Sequence, residues 1–264
     1  MNVALLQMDI AWDDAAQNVT MARALGEEAV RRKAELLLFP EMFTCGFSFP
    51  TGDRARHFFA AGTKLLTTLS KECAVATAGS LPEIPADDAL EKRARNTLVV
   101  CGPSGELGRY SKVHLFGHGG EGSNALPGDS TLTVTIGGVR VSLFICYDLR
   151  FPQPFALLAE QTDLFVVVAN WPEVRQSHWE TLLRARAIEN QAYVAGVNRV
   201  GNGGGISYSG CSSLYSPSGE LIVHGGATAG VSIGTVDPAE VRRYREAFPC
   251  LADRRWELYQ TIRR

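Results

Sequence analysis

Apolar residues recur along this chain at two alternating spacings. Val3–Met8, Glu35–Phe39, Ala74–Leu81, Val139–Ile145 and Leu164–Ala169 are short and mostly apolar, the pattern of strands buried on both faces. Between them, Asn18–Lys33 places Val19, Ala22, Leu25, Ala29 and Val30 at roughly helical spacing, and His57–Cys73, Phe155–Glu160 and Gln176–Asn190 also read as helices. Arg93–Cys101 and Glu106–Lys112 form a predicted hairpin around Pro103-Ser104-Gly105, and Gly137-Gly138 turns Thr131–Ile136 back into Val139–Ile145. Further strands are expected at Ala192–Val200, Ser209–Ser216, Glu220–His224 and Gly230–Val236. A helix follows at Pro238–Phe248, with Asp237 as its N-cap. The tail from Pro249 has no clear pattern, and Val113–Ser130 reads as a long irregular segment of the kind that carries function. No repeat or linker interrupts the chain, so residues 1–264 are expected to form one α/β domain with a C-terminal tail from about 249. Two sheets with helices outside suit this order better than one open parallel sheet, although the pattern alone does not force the choice.

The pattern breaks most sharply within Val141–Gln153, VSLFICYDLRFPQ. A buried strand runs into Cys146, and Pro152 suits the first turn of a helix, so the chain turns near the thiol. Nucleophiles of other hydrolases sit on such strand-to-helix elbows. Glu41 and Lys112 also stand where apolar strands end, where a rigid scaffold can position reactive groups. The three types are complementary. A thiol must lose its proton to attack carbon, a carboxylate can take that proton, and an ammonium can favour the thiolate and an oxyanion. Read singly, each has a plainer role: a buried small hydrophobe, a loop cap and a solvated charge. Spacing alone does not bring them together.

Composition narrows the alternatives. In 264 residues, 45% are apolar, 20% are charged and the net charge is −2, which offers no footprint for nucleic acid or an anionic membrane surface. Met1–Ile10 lacks a basic start and reads as a strand, and no apolar run reaches bilayer length. The six cysteines show no metal-type spacing, and reduced thiols in the cytoplasm are the expectation. His114 and His118 are separated as metal ligands can be, but lie in a glycine-rich stretch without a third ligand. Gly203-Gly204-Gly205 reads as a flexible turn.

Three segments, FPEMFTCGF (Phe39–Phe47), YSKVHLF (Tyr110–Phe116) and ICYDLRFP (Ile145–Pro152), resemble the signature segments of the carbon–nitrogen hydrolase, or nitrilase, superfamily. A fourth, Val168–Gly201, resembles the omega-amidase branch, and the similarity runs from Val3 to about Pro249. The resemblance implies a four-layer αββα sandwich of the nitrilase type. It implies Glu41 as base, Lys112 as the triad lysine, Cys146 as nucleophile and Glu121 as a second carboxylate acting on Lys112 or on proton transfer. The Tyr147 backbone N–H would help hold an oxyanion, and no metal or organic cofactor is implied. Asn170 and Trp171 would face the substrate, and pairing of two copies into a homodimer is expected across the face bearing the helix Gln176–Asn190 and the nearby C-terminal region, to which Trp256, Leu258 and Tyr259 add apolar surface. Two departures stand out: the glycine loop lacks its usual acid, and Cys211 replaces an acid common in a Tyr-x-Gly-x-Ser segment.

The expected activity is hydrolysis of the terminal amide of a small carboxylated substrate. Amidases of the deaminated-glutathione or N-carbamoyl amino acid type, nitrilases, and a silent binding member of the fold are the alternatives. Arg150, four residues after Cys146, is placed either to grip the substrate carboxylate or to brace the elbow through Asp148 or another acid. Phe43, Phe47 and Phe116 are expected to exclude water around the substrate chain.

Overall fold

The computed structural model describes residues 1–86 and 93–262, which fold around two mixed sheets. Across the first sheet the strands run Gly230–Thr235, Asn2–Gln7, Leu36–Leu38, Ala76–Glu83, Ala94–Gly102 and Gly105–Ser111, with Ala125–Leu126 alongside Ala94–Gly102. Across the second they run Leu221–His224, Ser213–Tyr215, Tyr193–Asn198, Leu164–Ala169, Val139–Ile145 and Thr133–Ile136. Each sheet has a parallel centre, Asn2–Gln7 with Leu36–Leu38 and Ala76–Glu83 in the first, Val139–Ile145 with Leu164–Ala169 and Tyr193–Asn198 in the second. Antiparallel strands flank both centres.

Period-two alternation sorts the first sheet's side chains between two layers. Val3, Leu5, Leu36, Leu38, Leu98 and Val100 enter a core shared with Val141, Leu143 and Ile145 of the second sheet. Their neighbours Ala4, Leu6, Leu37 and Val99 pack instead with Ala22 and Ala29 of the helix Ala15–Arg31 and with Leu65, Leu66 and Leu69 of the helix Gly52–Cys73. On the far side, Phe144 stacks on Phe155 of the helix Pro152–Leu158 at 3.9 Å between ring centroids. Gly196 lets the helix Gln176–Asn190 close onto its strand, since a Cβ there would lie 2.4 Å from Leu183 and 2.7 Å from Trp179. The result is an αββα sandwich.

Several boundaries move for local reasons. The first helix begins at Ala15 because Asp14 accepts from the Gln17 N–H. The second begins at Gly52, not His57. The expected strand Ala192–Val200 divides after Asn198, and Val200–Gly203 pairs with Ile206–Ser209 as a separate hairpin turning at Gly204-Gly205. Ser209–Ser216 divides too, where Gly210 and Cys211 take positive φ (69° and 55°) that no strand allows. Within Val113–Ser130, a helix at Glu121–Asn124 and the strand Ala125–Leu126 replace the expected irregular chain. The tail folds back on its own chain: Arg254 donates to Ala156 O, Glu189 O and Asn190 Oδ1, and a short helix follows at Trp256–Ile262. Among the described residues, no helix is long and apolar enough to cross a membrane.

The outer layers give a stability test. Phe144→Ala removes a buried ring from between sheet and helix and is expected to cost about 3–5 kcal/mol in denaturant unfolding. A loss below about 1 kcal/mol would mean that this layer is not packed as described.

Candidate active site

The ends of the strands converge on one buried cluster. Glu41 follows Leu36–Leu38, Lys112 follows Gly105–Ser111, and Glu121 opens the helix Glu121–Asn124. Lys112 Nζ donates to Glu41 Oε1 at 2.9 Å and to Glu121 Oε2 at 2.8 Å, and the Lys112 and Glu41 side chains are 0% exposed. Such a cluster survives burial only with its remaining lone pairs satisfied. Asn96 Nδ2 reaches Glu41 Oε1 at 2.7 Å, the Asn170 N–H reaches Glu41 Oε2 at 2.7 Å, and the Phe116 N–H reaches Glu121 Oε2 at 2.7 Å. Burial pulls the Lys112 ammonium down, but Glu41 and Glu121 outweigh it and hold its pKa above the ordinary lysine range. Burial lifts Glu121 above the ordinary carboxylate range against the pull of Lys112.

Cys146 ends the strand Val139–Ile145 and takes a left-handed φ of 46°, which directs the chain into a tight helical turn, Cys146–Arg150, and then into the helix that Pro152 starts. Asp148 fixes this elbow. Its carboxylate accepts from Tyr110 Oη at 2.7 Å, from the Ile145 N–H at 3.0 Å and from the His114 N–H at 2.9 Å, and lies 2.8 Å from His114 Nδ1. Because Tyr110 and His114 flank Lys112 in sequence, Asp148 ties the thiol of one sheet to the ammonium of the other. Burial, reinforced by Glu41, raises the Cys146 thiol well above its ordinary value, and Lys112 only partly opposes this. The resting sulfur is therefore a neutral thiol in need of a base.

Cys146, 8% exposed, lies at a cleft of about 530 Å³. Phe47, Phe116, Tyr147, Arg150, Asn170 and Trp171 line it, joined by Gly119, Pro172, Arg175, Ile206 and Tyr208. Asn170 Nδ2 is held by Glu41 O at 2.8 Å, which leaves Asn170 Oδ1 buried without a partner among the described residues. Asn198 fixes Trp171 by accepting its N–H at 2.7 Å and donating to its carbonyl at 3.1 Å. Two guanidinium groups flank the cleft: Arg150 lies over Trp171 at 4.9 Å and contacts His178 Nδ1 at 3.2 Å, and Arg175 lies over Phe116 at 5.4 Å. Among the described residues, neither has a carboxylate partner; Asp148, the suggested brace for Arg150, is occupied elsewhere. Burial, opposed by Arg199, pushes the Tyr208 phenol up to about 12, so it stays a neutral donor near pH 7.

Phe43 is the exception among the expected pocket residues. It is fully buried between the first sheet and its helices, stacked on Phe39 at 5.1 Å, because the turn after Glu41 points it inward over Gly79. Cys45 lies outside the cleft lining, in a small apolar cluster with Ala15, Met42 and Phe58. Sequence reasoning missed Asn96, Asn198, Arg175 and Tyr208 at the site, and took Asp148 only as a partner for Arg150. Of these, Arg175 alone left a usable signal, four residues past the Asn170-Trp171 pair.

A family model for carbon-nitrogen hydrolases matches residues 2–246. The chain belongs to the carbon-nitrogen hydrolase family. Its relatives within the family include the omega-amidase YafV of Escherichia coli (strain K12), 35% identical over 96% of each chain. Another is the 2-oxoglutaramate amidase of Bacillus subtilis (strain 168), 30% identical over 97% of this chain and 98% of that one. Among solved structures, XC1258 of Xanthomonas campestris, a carbon-nitrogen hydrolase superfamily protein with an arsenic adduct in its active site, superposes with a TM-score of 0.87 at 32% identity, covering 96% of this chain and 97% of that one. The chain is a hydrolase of carbon–nitrogen amide bonds from the omega-amidase-like branch of the superfamily.

The raised Cys146 pKa has a direct readout. A thiol titrating above its ordinary value gains thiolate only as pH climbs through that raised pKa. Alkylation of Cys146 by a small neutral reagent, followed peptide by peptide by mass spectrometry, is therefore expected to be slow at pH 7 and still rising beyond about pH 9. A rate that levels off below pH 8 would contradict this.

Proposed function

We propose that this carbon-nitrogen hydrolase removes ammonia from the terminal amide of a small substrate that carries a carboxylate at its other end, in the manner of an omega-amidase. The observation that carries this reading is the pair of guanidinium groups that have no carboxylate partner among the described residues, beside a largely apolar cleft that holds the thiol. A guanidinium holds a carboxylate through two parallel hydrogen bonds, fixing orientation as well as binding. The names of the relatives, omega-amidase and 2-oxoglutaramate amidase, agree with it.

In the mechanism, Glu41 takes the Cys146 proton as the sulfur attacks the amide carbon. Lys112 and the Tyr147 N–H stabilise the oxyanion, and Asn170 Oδ1 accepts from the amide nitrogen. Glu41 then protonates the leaving nitrogen, ammonia departs and a thioester remains. Glu41 next activates water, which attacks the thioester; the acid leaves and the thiol is restored. Glu121 keeps Lys112 protonated and in place throughout. Because burial and Glu41 raise the pKa of the resting thiol, its attack needs a base, and Glu41 serves as that base.

We further read the protein as a homodimer in a reducing compartment, the cytoplasm. Exposed Phe248, Trp256, Leu258, Tyr259 and Ile262 near the C-terminus offer an apolar face to a second copy, and all six cysteines are free. A monomer at micromolar concentration by light scattering would reject the dimer.

The substrate reading is tested by removing one guanidinium charge. Arg150→Gln is expected to lower kcat/KM for 2-oxoglutaramate by roughly 10²-fold while barely changing that for uncharged butyramide. Equal losses for both would return Arg150 to a bracing role, and a wild-type preference for butyramide would overturn the omega-amidase reading. Cys146→Ala is expected to lower kcat by several orders of magnitude with the fold intact; ammonia release within tenfold of wild type would remove Cys146 from the chemistry.

A further inference from the structure

Outside the cleft, three side chains with metal-binding chemistry meet from three separate elements. Glu180 stands on the helix Gln176–Asn190, Cys211 in the turn after Ile206–Ser209, and His224 at the end of Leu221–His224. One ligand atom from each lies within 4.8 Å of the other two, and His224 Nε2 is 3.3 Å from Glu180 Oε1. We propose that Glu180, Cys211 and His224 form a binding site for one divalent cation of borderline-soft character, of the zinc type, with water as the fourth ligand.

Ligand type and geometry both point to this class of ion. Thiolate, imidazole and carboxylate together suit zinc, whereas magnesium and calcium take oxygen ligands. Metal–ligand distances of about 2.0 Å to nitrogen or oxygen and about 2.3 Å to sulfur put tetrahedral ligand atoms roughly 3.3–3.6 Å apart. The Glu180–His224 pair is already at that separation, and the sulfur, within 4.8 Å of both, needs a shift of about 1.3 Å at most. Cys211 is buried at a left-handed φ, its carbonyl held by Trp179 Nε1 at 2.9 Å, so its Cβ cannot swing away freely. Gln176 Nε2 already points at its sulfur from 2.8 Å, a donor that suits a thiolate. One thiolate and one carboxylate balance the ion's two positive charges.

Binding has a proton balance. The Gly226 N–H donates to His224 Nδ1 at 3.2 Å, which leaves the imidazole proton on Nε2, facing Glu180. A cation on Nε2 moves that proton to Nδ1 at the expense of the long Gly226 contact, and displaces the Cys211 thiol proton into solvent. Affinity therefore increases with pH. The ion would clamp the helix Gln176–Asn190 to the second sheet beside Trp179, which packs on the cleft residue Trp171 at 5.5 Å.

The test uses Co²⁺ as the probe, because thiolate ligation gives a charge-transfer absorption in the near ultraviolet. Untagged, chelator-stripped protein is titrated with Co²⁺, and bound metal is counted after desalting. The expected result is one equivalent with the thiolate band in wild type and equally in Cys146→Ala, loss of the band in Cys211→Ser, and at least tenfold weaker binding in His224→Ala. His224 is exposed at a sheet edge, so its variant keeps the test informative should Cys211→Ser fail to fold. No band in wild type, a band retained in Cys211→Ser, unchanged affinity in His224→Ala, or a band lost in Cys146→Ala would overturn the site.

Discussion

The buried Lys112 ammonium, held between Glu41 and Glu121, is the constraint on which the rest of the site depends. Taking three ionisable groups out of water costs several kcal/mol each, and removing one partner of such a cluster typically costs about 3–5 kcal/mol. No single segment could provide the compensation. The partners come from the ends of separate strands, from Asn96 in a third strand, from backbone N–H groups at Phe116 and Asn170, and from a short helix that replaces an otherwise irregular stretch. The cluster therefore forms only once both sheets are in register. A cluster so demanding to bury is weak support for stability and fits a chemical role better.

That constraint organises the second sheet as well. Asp148 accepts from Tyr110 and His114, on either side of Lys112, while also holding the Ile145 N–H just before the thiol. Asn170 bonds Glu41 through both its backbone and its side chain. The site thus sits across the seam of the sandwich, at the carboxyl ends of the central parallel strands, where open α/β sheets also place their ligands. Polarity then grades outward, from a deep ion cluster through aromatic walls to two guanidinium groups. Such a gradient admits a short molecule with an uncharged amide at one end and an anion at the other.

How much of this was legible in the sequence follows from the range of the interactions. Strands and helices came through because their signal is local: alternating or continuous apolar runs, the Asp14 and Asp237 caps, Pro152 at a helix start. Glu41, Lys112, Glu121 and Cys146 stood out because the resembling segments carry them, while their meeting is a long-range fact that spacing could not supply. Phe43 was misplaced because a single turn after Glu41 decides which side of the sheet its ring enters. Asn96 and Asn198 look like ordinary polar residues until their partners appear. Glu180, Cys211 and His224 were invisible as a group for the same reason, while the H-x₃-H pair at His114 and His118 drew attention by being close in sequence; His114 is instead taken up by Asp148.

The central claim is that this ion cluster serves a covalent reaction at Cys146 and not direct attack of water on the amide. The most direct test is turnover of succinamate, a carboxylated ω-amide with no ketone for hydroxylamine to convert to an oxime, with hydroxylamine present as a competing nucleophile. A thioester on Cys146 predicts that hydroxamate forms at the expense of the acid, the two together matching the ammonia released. Acid alone in amounts equal to ammonia, whatever the hydroxylamine concentration, would contradict the account.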